Sequence, residues 1–140
     1  MHVKKNGFTL LELLVAVIIV GILVLAAVPS MRAPIERSRA RNAEFNLLAI
    51  YSAQKRHLLS EKTYFVCDQI ADPDDRVAAI NKNLSIKIDD PYFEYQINST
   101  DAQNTYRAWA TRKDGRCRNM SLNVTAANST VLKDRRCTVW

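Results

Sequence analysis

Hydrophobic and polar positions divide the chain into three differently patterned stretches. Residues 8–28, FTLLELLVAVIIVGILVLAAV, are apolar without a break except for Thr9 and a single charge, Glu12. A helix over these residues is about 32 Å long at ~1.5 Å per residue, enough to cross a bilayer's hydrocarbon core. Residues 36–59 change to a helical period, with Ala40, Ala43, Leu47, Ile50 and Leu58 on one side and Arg37, Arg41, Glu44 and Lys55 on the others. A loop follows, then a short helix that Asp72 caps and Pro73 opens, with Val77, Ile80 and Leu84 as its apolar face.

Beyond residue 91 the period becomes two. Phe93, Tyr95 and Ile97 alternate with Glu94 and Gln96; Arg107, Trp109 and Thr111 alternate with Ala108 and Ala110. Asp114-Gly115 is a hairpin-turn signal. A third strand carries Met120, Leu122 and Val124, a polar turn is expected at 127–129, and residues 131–139 supply a fourth strand. The predicted class is α+β: a long N-terminal helix, membrane-spanning in its first half and amphipathic in its second, on a roughly four-stranded antiparallel sheet.

Length and charge narrow this picture. At 140 residues the chain suits one folded domain. Lys4 and Lys5 precede the apolar run, so the positive-inside rule leaves residue 1 in the cytoplasm and the remainder outside it. The net charge of +6 is uneven: residues 61–101 are acidic and residues 107–140 strongly basic. That asymmetry suits a chain that packs against its own copies as well as one that binds polyanions. Cys67, Cys117 and Cys137 allow one internal bridge in any of three pairings, and no Cys/His metal spacing occurs.

Glu12 is the position that an ordinary membrane anchor does not explain, because a carboxylate in hydrocarbon costs about 2.5–3.5 kcal/mol on insertion scales. Together with its surroundings, GFTLLELLVAVIIVGIL, it resembles the type IV pilin and pseudopilin superfamily. The resemblance implies a basic leader of residues 1–7, cleavage between Gly7 and Phe8 by a prepilin peptidase, and methylation of the new Phe8 amine. It also implies a transmembrane and filament-core helix at 8–29 and a periplasmic or extracellular globular domain at 30–140. The positive Phe8 amine would neutralise Glu12 of an adjacent subunit in a staggered helix bundle, making Glu12 an assembly register. Gly21 and Pro29 match positions between which such helices lose regularity in the fibre, and Pro34 departs from the pattern, predicting a bend within 28–37. A Cys117–Cys137 bridge is similar to the C-terminal disulfide of many pilins, and an oxidising compartment permits it.

The other polar groups carry less chemistry. Asp72, Asp74, Asp75, Asp89 and Asp90 fit no EF-hand spacing, so capping and a solvated loop account for them. His57 has no second histidine once the leader has gone. Asn83, Asn98, Asn119, Asn123 and Asn128 head sequons that Asn-rich loops produce by chance. The basic end offers a candidate polyanion surface in Arg112, Lys113, Arg116, Arg118, Lys133, Arg135 and Arg136, with Trp109 and Trp140 for stacking.

No catalytic constellation, metal or cofactor is indicated, and the chain reads as a structural subunit rather than an enzyme. The expected partners are the prepilin peptidase, further pilin subunits and an inner-membrane assembly platform. The expected location is the bacterial inner membrane, then a cell-surface pilus. Two alternatives stay open: a type II secretion pseudopilin, and a minor pilin that receives DNA, with nucleic acid as its partner.

Overall fold

The computed structural model describes residues 9–27, 32–115 and 117–138. Gly7, Phe8, Pro29, Arg116 and Trp140 lie outside them. The chain forms two compact units, residues 1–35 and 36–140.

The first unit contains α1, Leu10–Ala27. Thr9 starts it: its carbonyl accepts the Glu12 and Leu13 N–H groups at 3.1 and 3.2 Å, and its hydroxyl accepts the Glu12 N–H at 3.2 Å. Thr-Leu-Leu-Glu is a capping-box spelling, with Glu12 where a carboxylate meets the positive end of the helix dipole. Among the described residues no helix is long and apolar enough to cross a membrane. The 18 residues of α1 reach about 27 Å at ~1.5 Å each, against a core of about 30 Å. The apolar run of the sequence, 8–28, extends past both ends of that helix.

The helix α2, Arg32–Glu61, leads into the second unit. Part of the stretch in which a bend is expected, residues 28–31, lies outside the described set; from Arg32 onward α2 is helical, through Pro34. Pro34 falls in the first turn, where the missing N–H has no intrahelical acceptor to lose. The buried face of α2 is Ala40, Ala43, Leu47, Ile50, Ala53 and Gln54, with Leu58 partly buried beside the core. Its cluster partners are the inward residues of the strands, Phe93, Tyr95, Ile97, Ala108, Ala110, Leu122, Val124 and Val131.

Helix α3, Pro73–Leu84, matches the prediction. Asp72 accepts the Asp74 and Asp75 N–H groups at 2.8 and 3.2 Å, and Ser85 ends the helix in the left-handed region at φ 51°. The sheet is an antiparallel meander in the order β1 (Phe93–Asn98), β2 (Arg107–Arg112), β3 (Ser121–Thr125) and β4 (Asn128–Lys133). Its register sets Gln96 beside Trp109, Trp109 beside Asn123, and Asn123 beside Leu132.

Two boundaries differ from expectation. Asp114-Gly115 does not make a tight hairpin; residues 113–120 form a longer connection between β2 and β3. The tight turn lies between β3 and β4, where Thr125 pairs with Asn128. The fourth strand stops at Lys133, because Asp134 turns the chain: its carbonyl accepts the Cys137 N–H at 3.2 Å and its carboxylate the Arg136 N–H at 2.9 Å. That turn delivers Cys137 to Cys117.

Candidate functional site

The α1 helix is apolar on every side, and it is exposed from Leu10 to Leu25, at 82% and 78% for those two residues. A helix of this composition needs a non-aqueous cover, either lipid or other helices. A Cβ added at Gly21 would meet nothing within 4 Å, so contacts among the described residues do not require that glycine. Glu12 is exposed on the same helix, in its first turn. The two groups that would complete the cleavage site, Gly7 and Phe8, lie outside the described residues.

The far end of the chain is closed covalently. Cys117 and Cys137 form a disulfide with Cα atoms 5.4 Å apart, and both are buried against Met120. Cys67 is the free cysteine among the described residues. It is buried, and the Ile97 N–H points at its sulfur at 3.3 Å. Burial pushes its thiol above the ordinary value, which suits a packed thiol rather than a reactive one.

The residues of the basic end stand in different settings. Arg112 is a correction: it is 1% exposed. Its Nε and Nη2 donate to the two Glu36 carboxylate oxygens at 3.2 and 3.1 Å, and its Nη1 donates to the Tyr92 carbonyl at 2.9 Å. Asp114 adds a third oxygen at 2.9 Å, and Arg39 approaches Glu36 at 2.8 Å from the other side while lying 3.9 Å from the Tyr92 ring centroid. Gly115, at φ 78°, closes over this pair, with Arg112 Nη2 and Glu36 Oε1 3.5 and 3.7 Å from where a Cβ would stand.

Two further cations of the basic end have carboxylate partners: Lys133 reaches Glu44 at 2.9 Å, and Arg136 reaches Asp134 at 2.6 Å. The Arg136 hydrogen bonds hold the Asp134 carboxyl down to about 2. Lys113 is half-buried, and Arg118 and Arg135 are exposed. Among the described residues no group of three or more His, Cys, Asp and Glu could hold a metal ion. His57 sets its Nδ1 2.9 Å from the Thr63 carbonyl, a contact that ties the end of α2 to the following loop.

Sequence reasoning missed two amide clamps. Gln54, fully buried, donates to the Phe65 carbonyl at 2.7 Å and accepts the Phe65 N–H at 2.9 Å. Asn81 does the same for Ile88, at 2.9 and 2.8 Å. A signal existed for Gln54, which falls four residues after Ile50 on the apolar stripe. Arg112 likewise continues the inward alternation of Ala108 and Ala110.

The N-terminal segment is also what comparison with known proteins finds. A family model described as the prokaryotic N-terminal methylation motif matches residues 3–28. The type IV major pilin protein PilA of Myxococcus xanthus (strain DK1622) is 39% identical over 61 residues, 44% of this chain and 28% of that protein. The type II secretion system core protein G of Vibrio cholerae serotype O1 (strain ATCC 39315 / El Tor Inaba N16961) is 35% identical over 66 residues, 47% of this chain and 45% of that protein. The matched stretches thus cover less than half of either relative. The chain thus carries the methylation motif at its N-terminus and is similar, over less than half its length, to a type IV pilin and a type II secretion core protein.

Proposed function

We propose that the chain is a structural subunit of a type IV pilus-like filament. A prepilin peptidase cuts it between Gly7 and Phe8 and methylates Phe8. It waits in the inner membrane with residues 36–140 on the periplasmic side, and it polymerises through its N-terminal helix. The observation that carries this reading is the methylation motif over residues 3–28 running into a helix whose apolar side chains are exposed all round. Exposed leucine, isoleucine and valine cost roughly 25 cal/mol per Å² in water, and only lipid or neighbouring helices remove that cost. Glu12 then pairs with the Phe8 amine of the next subunit, so that the charge expensive in lipid sets the stagger of the bundle.

A type II secretion pseudopilin is the second reading, supported by the similarity to core protein G. A DNA-receiving role is less supported, because Arg112 is buried and Lys133 and Arg136 are paired. The test is the intact mass of the protein in sheared surface filaments and in membranes, with and without reduction. Cleaved, methylated, oxidised protein in the sheared fraction is the expected result; cleaved protein confined to the membrane favours the pseudopilin. Unprocessed protein in both overturns the reading. In the same assay Glu12→Ala leaves cleavage intact and lowers filament yield relative to total mature protein; an undiminished yield removes Glu12 from assembly.

A further inference from the structure

On the exposed face of α2, Phe45 is 68% exposed. Arg41 is one turn before it and Arg37 two turns before, both exposed, while Ala49 follows one turn later with no bulk to obstruct an approach. A large aromatic group in water beside cations is an anchor without a socket in its own chain. The socket chemistry occurs elsewhere in the same unit. Between α3 and the start of β1 lies an open cleft of about 320 Å³ with Val77, Ala78 and Ile88 along its apolar side. Four carboxylates, Asp74, Asp89, Asp90 and Glu94, stand around it against one ammonium, Lys113. Asp90 is engaged by the Tyr95 hydroxyl at 2.7 Å, whereas Asp74 and Asp89 are exposed.

We propose that Phe45 of one subunit docks in the α3–β1 cleft of a second copy of this chain, with Arg37 and Arg41 facing the acidic rim. The inference rests on the filament reading and adds to it the contact between globular units. Charge complementarity selects this occupant: a basic, aromatic helix face meets an acidic, apolar-sided cleft. Because anchor and cleft are different surfaces, the contact is heterologous and propagates from subunit to subunit, the geometry a filament needs.

The test uses the full chain in cells that assemble it. Phe45→Cys and Ala78→Cys are combined in one chain, filaments are sheared and mildly oxidised, and covalent multimers are resolved without reductant. A ladder is expected from this pair and not from Leu59→Cys with Ala78→Cys, since Leu59 is 75% exposed on the same helix but outside the proposed contact. Filaments in normal yield with no ladder overturn the docking and leave the filament reading standing. Native protein absent from sheared filaments overturns both. A charge swap covers the case in which the cysteine pair fails to assemble. Arg41→Glu lowers filament yield about tenfold and Asp89→Arg in the same chain restores it; no loss, or no rescue, overturns the docking.

Discussion

Arg112 carries a full charge at 1% exposure and is held there by two Glu36 oxygens, the Asp114 carboxylate and the Tyr92 carbonyl. Pairs of this kind add little over a well-packed apolar substitute, but removing one member strands the other. Arg112→Leu is therefore expected to cost about 3 kcal/mol in urea unfolding, at the low end of the buried-pair range because Glu36 keeps 16% exposure and some access to water. Replacing Glu36 and Arg112 together should cost less than Arg112→Leu alone; an equal or larger loss would show that the pair is not what matters there. Asp134 obeys a different rule. Its carboxyl is lowered to about 2 by the Arg136 hydrogen bonds, so the ionised form is favoured in the folded chain. The stability this contributes is present above the ordinary aspartate value and is lost as pH falls toward 2. A carboxyl NMR titration should place Asp134 near 2 and return it to the ordinary range in Arg136→Ala.

At the scale of elements, α2 and the sheet are read from period, and the connections are not. The loop after α2 runs past β1 without becoming a strand, yet Tyr64 and Cys67 donate to the Ala102 and Ile97 carbonyls at 2.7 and 2.8 Å. The side chain of Gln54 supplies both backbone partners of Phe65 from inside the core. The last segment depends on a bridge across 20 residues, and a loop of that size is worth about 3 kcal/mol in the chain-entropy model. Paired Cys117→Ser and Cys137→Ser substitutions should lower stability by about that amount. Hydrogen exchange should quicken first in residues 134–138, where a few turn contacts remain, before the β1–β2 pairing opens.

For the whole molecule, the two units make different demands. Residues 36–140 enclose their own core, so a chain beginning at Arg32 should fold without the first helix and unfold in one cooperative step. Loss of the cooperative transition in that fragment would show that the first unit contributes to the core. Residues 8–28 announce their need for lipid or partner helices by composition alone, and the processing we propose is read from Gly7, Phe8 and Glu12, because both rest on local chemistry. The α+β class, both amphipathic faces and the Asp72 cap were also legible, since period and capping act within one or two turns. Tertiary structure decided which of the seven basic candidates had already been used. Arg112 is spent on Glu36, 76 positions away; Lys133 is spent on Glu44. It also decided the cysteine pairing and the cleft beside α3. Each of these depends on which side chains long-range packing brings within a few ångströms, and no spacing along the chain encodes that directly.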